Sequence, residues 1–177
     1  MDGVLAEAHL SPGSARPHDP PAFRLRALQA GDEEFSFAVY ASTRSAEMEL
    51  VAWPEEQKNA FLRMQFKAQG QHYRLQYPRA LWQVIEVEGQ AAGRLVSDDS
   101  DAGLFLLMDI ALLPEYRGLG VGTAILGGLL REAGRARKTV ALHVEPNNPA
   151  LRLYQRLGFE IVGQSGFYLE MRKDTSA

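Results

Sequence analysis

The sequence of 177 residues contains no cysteine. A chain without cysteine has no disulfide framework, no thiolate metal site and no cysteine nucleophile, which excludes catalysis through a thiol acyl-enzyme. Positive charge is not in excess either, because 19 Lys and Arg stand against 22 Asp and Glu, for a net charge of −3. A general nucleic-acid-binding protein normally carries a basic surface. This balance therefore argues against nucleic acid as a partner.

Long hydrophobic runs are also missing. The most apolar segment, residues 103–113, contains Asp109 and is shorter than the run of about 18 apolar residues that indicates a membrane span. The first ten residues lack the basic and apolar regions of a signal peptide. We therefore expect no membrane association and a cytoplasmic location.

Proline is concentrated at the start of the chain. Residues 1–21 hold four of the nine prolines and few large apolar side chains. Such a composition buries too little apolar surface to offset the entropy of ordering, which predicts a flexible leader over 1–21. The remaining chain, 22–174, has the length of one domain with a sizeable core.

Apolar periodicity predicts the elements of that domain. The predicted strands span about 23–26, 81–87, 91–97, 104–113, 140–145, 159–162 and 167–172. The predicted helices span about 32–42, a longer stretch beginning at Pro54, the stretch from the glycine-rich turn to about Gly134, and 149–157. The order β-α-α-β-β-β-α-β-α-β-β is typical of an α+β domain, a mixed sheet with helices on its faces.

A glycine-rich turn follows the most apolar strand. In the segment Arg117–Thr123, glycines alternate at 118, 120 and 122, and a helix begins. Glycine lets a ligand approach the backbone closely, and a helix start offers unpaired N–H groups to a pyrophosphate. Two other phosphate motifs do not fit, since a dinucleotide fingerprint would need glycine at Thr123 and a Walker A loop would need Gly-Lys-Ser/Thr. A simple strand-to-helix turn is the alternative.

The second motif is the segment 146–159, PNNPALRLYQRLGF. Asn148 fits a helix N-cap, Pro149 fits the first helical position, and Gly158 fits the left-handed position after the helix. One helical face carries Ala150, Leu153, Tyr154 and Leu157. This spacing predicts that the Tyr154 ring packs with the apolar stripe, where its hydroxyl needs a partner.

Together, RGLGVG at 117–122 and NPALRLYQRLGF at 148–159 resemble the GNAT superfamily of acetyl-CoA-dependent N-acetyltransferases. Arg117, Gly120 and Gly122 match the family's pyrophosphate loop. The second segment matches its closing helix and strand. The resemblance covers 103–172 strongly and extends back to about residue 22 through the order of elements.

The resemblance implies the GNAT fold over 22–174, with a mixed, mostly antiparallel sheet of six to seven strands and about four helices. It also implies transfer of acetyl from acetyl-CoA to a primary amine of a small molecule or peptide, by direct attack in a ternary complex. A non-catalytic or weakly catalytic acyl-CoA-binding module is the alternative.

In the family, the end of the fourth strand holds the pantetheine arm and the glycine loop receives the pyrophosphate. The residues so implied to bind acetyl-CoA are Ile110, Ala111, Leu112, Arg117, Gly118, Leu119, Gly120, Val121, Gly122, Thr123, Asn147, Asn148 and Tyr154. The resemblance implies no metal.

Acetyl transfer to an amine needs a base for the amine and benefits from an acid for the leaving thiolate. Tyr154 matches the family's tyrosine acid by position, and a core aromatic residue is the alternative. His143 is the candidate base because imidazole accepts a proton near neutral pH. Glu145, Asp109, water, or a purely packed His143 are the alternatives.

The family builds acceptor specificity in the first two helices and their flanks. The resemblance therefore makes candidates of Arg44, Trp53, Gln65 and His72, with ordinary surface or packing roles as the alternative. The C-terminal strand pair offers an edge through which a homodimer could form. The identity of the amine is not encoded in any motif recognised in this sequence.

Overall fold

The computed structural model describes residues 19–175. The predicted leader over 1–21 therefore lies mostly outside the described residues. The described residues 19–22 lead directly into the first strand, which begins at Phe23. There, the backbone N–H of Ala22 donates to the Glu88 carboxylate at 2.8 Å, and the Glu88 N–H donates to the Ala22 carbonyl oxygen at 2.9 Å.

Strands and helices follow one another along the described chain in nearly the predicted order. The strands are β1 (Phe23–Ala27), β2 (Leu81–Val87), β3 (Gln90–Asp98), β4 (Leu104–Leu112), β5 (Thr139–Val144), β6 (Glu160–Ser165) and β7 (Tyr168–Lys173). The helices are α1 (Glu33–Thr43), α2 (Ser45–Glu49), α3 (Glu55–Gln76), α4 (Val121–Arg135) and α5 (Leu151–Arg156). One-turn 3-10 segments lie at Ala30–Asp32 and Pro114–Tyr116.

The seven strands form one sheet in the order β1-β2-β3-β4-β5-β7-β6. Every neighbouring pair is antiparallel except β4 and β5, which are parallel and are connected through α4. Two strands in parallel need such a crossover connection, whereas short turns suffice for the antiparallel neighbours. The predicted α+β fold with a mixed, mostly antiparallel sheet is confirmed.

The parallel pair is short. Its register runs from Leu104 opposite Thr139 to Leu107 opposite Leu142 and stops there, although β4 continues to Leu112 and β5 to Val144. Just at this point β4 contains a bulge, because Ser97 of β3 pairs with Leu107 and the preceding Val96 pairs with Asp109. Met108 is the extra residue. The two strands therefore separate beyond the bulge and leave a gap in the sheet.

The main core lies between the sheet and its helices. Its most completely buried large side chains include Ile85, Leu95, Leu142 and Met171 of the sheet, and α4 contributes Val121, Ile125 and Leu126. A smaller cluster joins α1 to α3 through Phe37, Tyr40 and Leu62. Burying a large apolar side chain contributes about 1.5–3 kcal/mol. These two clusters fix the helices that border the gap between β4 and β5.

The segment around α5 differs from its prediction at one end. The Asn148 side-chain oxygen accepts the N–H of Ala150 at 2.9 Å, and its carbonyl accepts the N–H of Leu151 at 3.0 Å. This turn delays the α-helix, which begins at Leu151 rather than at Pro149. At the other end the prediction holds, since Gly158 has φ +85° and Phe159 donates to the Tyr154 carbonyl oxygen at 3.0 Å.

The helix α2 was not predicted. It follows α1 after the single residue Arg44, whose φ of −110° and ψ of 1° interrupt the helical path. The surrounding sequence has neither glycine nor proline to mark such a break. In addition, β6 extends to Ser165, three residues beyond its predicted end at Val162.

Candidate active site

A cleft of about 1070 Å³ opens where β4 and β5 separate, bordered by α1, α2 and α3. From β4 it receives Asp109, Ile110 and Ala111, which follow the bulge at Met108. The end of β5 and the turn after it add His143, Glu145, Asn147 and Asn148. Residues from both sides of the gap, far apart in sequence, thus meet in one cavity.

The backbone of β4 offers hydrogen-bond donors to this gap. The N–H of Leu113 points towards β3, where it donates to the Ala92 carbonyl oxygen at 2.8 Å. Because N–H directions alternate along a strand, the N–H groups of Leu112 and Ile110 point the opposite way, into the gap. The register with β5 has already ended at Leu107. These two donors are therefore available to a ligand.

The glycine-rich turn follows β4 after the 3-10 segment Pro114–Tyr116. Gly118 and Gly120 have φ of +75° and +82°, in the left-handed region that glycine adopts without strain. Gly120 is the N-cap of α4 and supplies no side chain to the first helical N–H groups, those of Val121, Gly122 and Thr123. A 15-residue helix adds positive potential at this end. The turn can hold an anion such as a pyrophosphate.

The space around this turn is open. A Cβ atom added at Gly118 or Gly122 would meet no atom within 4 Å of the described structure. Leu119, between the two left-handed glycines, is 48% exposed. At Gly120 an added Cβ would lie 3.5 Å from Pro20, at the start of the described chain. The residues that precede β1 therefore pass beside the candidate anion site.

Arg117 connects the glycine-rich turn to two other elements. Its Nε donates to the Leu112 carbonyl oxygen at 2.8 Å, and its Nη2 donates to the Ser42 hydroxyl oxygen at 2.9 Å. The first contact anchors the turn to the end of β4, and the second anchors it to α1. The guanidinium group thus positions the turn as well as adding a positive charge at its mouth. The motif alone indicated only the charge.

Tyr154 is buried and is not among the residues that line the cleft. Its side chain is 7% exposed and packs edge-to-face on Phe159, with ring centroids 5.8 Å apart. Within residues 19–175 its hydroxyl has no hydrogen-bond partner, yet its oxygen is not among the fully enclosed polar atoms. Burial, followed by the charge of Asp109, raises the pKa of Tyr154 to about 12. The hydroxyl is protonated at neutral pH.

His143 and Glu145 both line the cleft, as their shared strand face predicts. The Glu145 carboxylate accepts a hydrogen bond from Arg44 Nη1 at 3.3 Å, and Glu47 lies 3.6 Å from the same nitrogen. His143 is exposed, and no side chain of the described residues hydrogen-bonds to its ring. Of the two candidate bases, His143 is the one without a competing partner in the described chain.

Asp109 forms an ion pair with a residue that the motifs did not single out. Its Oδ2 lies 2.7 Å from Nε of Arg94, whose side chain is only 6% exposed. Arg94 also donates from Nη2 to Gln69 at 3.1 Å and lies against the Tyr40 ring. A usable sequence signal was present, since an arginine within the apolar strand β3 requires a buried partner.

Three of the four acceptor candidates line the cleft: Arg44, Gln65 and His72. Trp53 is not among the lining residues and packs edge-to-face on Phe61, with centroids 5.5 Å apart. No motif in the sequence indicated the aromatic character of the cavity. Its aromatic lining comprises Tyr40, Phe61, Tyr73, Tyr77 and Tyr168.

A gap between β4 and β5 beside the N-terminus of α4 is the arrangement found in the structure, and a comparison with known protein families agrees with it. The profile of the acetyltransferase (GNAT) family matches residues 40–159. The chain belongs to the GNAT family. Among solved structures, the PaiA N-acetyltransferase of Thermoplasma acidophilum in complex with coenzyme A superposes with a TM-score of 0.65 at 16% identity, over 86% of this chain and 99% of that one. This likeness confirms the GNAT fold.

Two curated relatives match a shorter part of this GNAT chain. An N-alpha-acetyltransferase of Sulfurisphaera tokodaii is 36% identical over 59 residues, which are 32% of this chain and 35% of the relative. A [ribosomal protein bS18]-alanine N-acetyltransferase of Haemophilus influenzae is 42% identical over 59 residues, 32% of this chain and 39% of the relative. The matched segment thus spans little more than a third of either relative.

Residues 19–175 were also compared with the requirements for a membrane-spanning helix and for a cluster of metal-binding side chains. No helix in this range combines the length and the apolar character needed to cross a membrane. Over the same range, the structure brings no three His, Cys, Asp or Glu side chains together as metal ligands would be.

Proposed function

We propose that this GNAT domain transfers the acetyl group of acetyl-CoA to a primary amine of a small molecule or peptide, by direct attack in a ternary complex. The observation that carries the proposal is the glycine-rich start of α4 beside a gap in the sheet that opens into the cleft. A diphosphate group and a narrow arm ending in a thioester need these two features side by side.

The chain's residues fit acetyl-CoA in a defined order. The N–H groups of Val121, Gly122 and Thr123 would hold the pyrophosphate, with Gly118, Leu119 and Gly120 shaping the turn and Arg117 adding charge. Ile110, Ala111 and Leu112 would hold the arm along β4. Asn147 and Asn148, exposed at the cleft, would contact it from the β5 side.

Bound acetyl-CoA supplies an activated acyl carbon and a thiolate leaving group. The N–H groups of Ile110 and Leu112 face the gap, where a fixed donor stabilises negative charge that develops on the acyl oxygen. His143 takes the proton from the attacking amine nitrogen, directly or through water. Tyr154, whose hydroxyl is protonated at neutral pH because its pKa is raised to about 12, provides the proton for the departing sulfur and regains a proton from solvent after the transfer.

The proposed acceptor is a primary amine. The relatives' names refer to the N-terminal amines of proteins, but those relatives match over 59 residues only. The cleft contains carboxylates and aromatic rings, which suit the ammonium and the body of either a small molecule or a peptide. We include both classes in the proposal.

A cytoplasmic location and a homodimer belong to the same proposal. The cysteine-free composition is compatible with a reducing compartment, and the first ten residues lack the basic and apolar regions of a signal peptide. For the homodimer, β6 is an edge strand whose Ile161 and Val162 are 50% and 53% exposed. Neither nucleic acid nor a membrane has a place in the proposed function, in keeping with the net charge of −3.

The direct test is acetyl transfer to a panel of amines, followed as CoA thiol release and as product mass. The panel contains small monoamines, polyamines, free lysine and peptides with free N-termini. We expect amine-dependent thiol release with a product 42 Da heavier, the mass that one acetyl group adds. His143→Gln should lower kcat by about 10²–10⁴-fold, the usual contribution of a general base.

A matched control uses the neighbouring carboxylate. Glu145→Gln removes a group already engaged by Arg44 and should reduce kcat less than His143→Gln does. The alternative, an acyl-CoA-binding module, is favoured by one observation, that Tyr154 is not among the residues that line the cleft. Saturable acetyl-CoA binding with no amine-dependent thiol release across the panel would replace the enzyme proposal with that module.

A further inference from the structure

A second cavity lies behind one wall of the active-site cleft. It has a volume of about 560 Å³, within the range of small-molecule sites, and lies between α1, α3 and the strands β2 and β3. Gln69 lines both cavities, and its side-chain oxygen accepts the hydrogen bond from Arg94. We name this second cavity the α1–α3 pocket. Ser36, Phe66, Lys67, Arg74, Trp82 and Arg94 are the lining residues that define it.

The residues that line the two cavities differ in the sign of their net charge, and they still do when the Arg94–Asp109 pair, which contributes one residue to each lining, is set aside. The α1–α3 pocket is lined by three cations and one carboxylate, Lys67, Arg74, Arg94 and Glu33. The active-site cleft is lined by one arginine and three carboxylates, Arg44, Glu47, Asp109 and Glu145, with its histidines counted as neutral. A cationic acceptor amine suits the cleft, whereas an anion suits the α1–α3 pocket.

Two of the pocket's cations form no close ion pair within the described residues, although the charge of Lys67 acts on the Glu34 carboxylate, which is paired with Arg63. Arg94 is neutralised by Asp109, but neither Lys67 nor Arg74 forms an ion pair with any residue from 19 to 175. The Arg74 guanidinium instead lies over the Trp82 ring, 4.5 Å from its centroid. This stacking holds a positive charge at the wall of the pocket, where it remains open to an anionic ligand.

A buried hydroxyl group gives an independent indication of a ligand. Ser36 on α1 is 4% exposed and lines the α1–α3 pocket. Its Oγ is fully enclosed and has no hydrogen-bond partner among the described residues. Buried polar groups in folded proteins are nearly always paired, so this orphaned hydroxyl, which the empty pocket does not expose, would gain a partner if a bound ligand displaced the side chains that enclose it.

The rest of the pocket wall is apolar. Leu28, Phe66, Trp82, Leu95 and Val96 line it. We propose that the α1–α3 pocket binds a small organic anion, a carboxylate joined to a compact apolar or aromatic body. The carboxylate lies between Lys67 and Arg74, where a shift of the wall lets it reach the Ser36 hydroxyl, and the body lies against Phe66 and Trp82. The site is separate from the acetyl-CoA and acceptor sites and does not depend on acetyl transfer.

The test uses the two tryptophans of the chain. Trp53→Phe keeps a ring against Phe61 and leaves Trp82 as the only tryptophan, inside the α1–α3 pocket. Phenylacetate is the probe, and phenylacetamide is its neutral counterpart of the same shape. We expect a saturable change in Trp82 fluorescence with phenylacetate. Phenylacetamide should bind at least about tenfold more weakly, because charge-assisted hydrogen bonds are lost.

Second-site variants in the Trp53→Phe background locate the binding. Lys67→Gln and Ser36→Ala should each weaken phenylacetate binding at least about fivefold. Lys58→Gln is the matched control, since Lys58 lies on the same helix outside the pocket and pairs with Glu55. Ser36→Ala should not lower the melting temperature, because it removes an unpaired buried hydroxyl.

The outcomes decide the proposal without an activity assay. A saturable signal that weakens in Lys67→Gln and Ser36→Ala but not in Lys58→Gln supports the anion site. The absence of a saturable signal overturns it. Equal affinity for phenylacetate and phenylacetamide, or equal affinity in Lys67→Gln and Lys58→Gln, also overturns it. None of these results bears on acetyl transfer in the cleft.

Discussion

Tyr73 of α3 donates a hydrogen bond from its hydroxyl to the carbonyl oxygen of Met108, at 3.2 Å. Met108 is the extra residue of the β4 bulge, so this contact ties the longest helix to the point where β4 leaves β5. Burial, with a smaller contribution from Asp109, raises the pKa of Tyr73 to about 12. The hydroxyl therefore stays protonated, and remains a donor, at neutral pH.

Tyr73→Phe removes this donor while keeping the ring. We expect it to lower the free energy of unfolding by about 0.5–1.5 kcal/mol, measured by urea titration, and to lower kcat/KM for acetyl-CoA. Tyr77→Phe is the control, because Tyr77 lines the same cleft and its hydroxyl forms no hydrogen bond within the described chain. Equal changes in the two variants would show that the bond to Met108 does not hold the bulge.

Gly120→Val tests the glycine-rich turn. Gly120 has φ +82°, and a β-branched residue in that region is strained by about 1–3 kcal/mol. We expect KM for acetyl-CoA to rise at least about tenfold, because the turn must change shape to relieve the strain. Gly31→Ala controls for loss of a glycine, since its added Cβ would meet nothing within 4 Å. Unchanged acetyl-CoA affinity in folded Gly120→Val would contradict the assignment.

Tyr154→Phe tests the proposed acid. We expect kcat to fall by about 10²–10⁴-fold with nearly unchanged acetyl-CoA affinity, because the ring still packs on Phe159. Single-turnover measurements isolate the chemical step from product release. A kcat within about twofold of the wild type, with chemistry rate-limiting, would assign Tyr154 to packing alone.

The same substitution changes the response to alkaline pH. The pKa of Tyr154 is raised from 10.0 to about 12, so the unfolded chain loses this proton first as pH rises. The stabilising contribution is complete below pH 10 and is lost as pH approaches 12, by about 1 kcal/mol at pH 11. Urea titrations at pH 8 and pH 11 should show a smaller loss of stability in Tyr154→Phe than in the wild type. Identical losses would indicate that the hydroxyl is solvated in the folded state.

Gly93→Ala tests the contact between β3 and the ligand-facing end of β4. An added Cβ at Gly93 would lie 2.2 Å from the Ala111 carbonyl oxygen and 3.1 Å from the Leu112 Cα. Because both are backbone atoms, β4 must shift, and we expect a loss of about 1–3 kcal/mol in unfolding free energy together with a raised KM for acetyl-CoA. Gly103→Ala, whose nearest contact is 3.8 Å away, should be neutral in both assays.

The pattern of apolar, glycine and proline residues in a short segment predicted those bounds of strands and helices that depend only on that segment. The bounds of β2 follow from a run rich in apolar residues and the turn after it, and Gly158 ends α5 because glycine tolerates φ +85°. The start of α5 was wrong by two residues, since the Asn148 side chain stabilises a turn that competes with the helix. The residue preferences at positions 148–150 are satisfied equally by a helix that starts at Pro149 and by a turn that delays the helix to Leu151, so the sequence alone does not distinguish these two conformations.

Contacts at the site between segments that are distant in sequence could not be predicted from these short patterns. The bulge at Met108 depends on the register of β4 against β3, which no single segment specifies. Glu145 accepts a hydrogen bond from Arg44, which is 101 positions away in the sequence. This contact distinguishes the two candidate bases on β5 and the turn after it, because the Glu145 carboxylate has a cationic partner and the His143 imidazole has none among the described residues. The burial of Tyr154 follows from its helical stripe and is confirmed. Its role as the acid stays a prediction.

The short parallel register between β4 and β5 also has a consequence for folding cooperativity. Four paired positions join a block of four strands, β1 to β4, to a block of three, β5 to β7. A ligand in the gap would contact both blocks and so couple their unfolding. Its binding would raise the free energy of unfolding by RT ln(1 + [L]/Kd), about 2.7 kcal/mol at a hundredfold excess over Kd. The melting temperature of the domain would then follow the concentration of its own co-substrate.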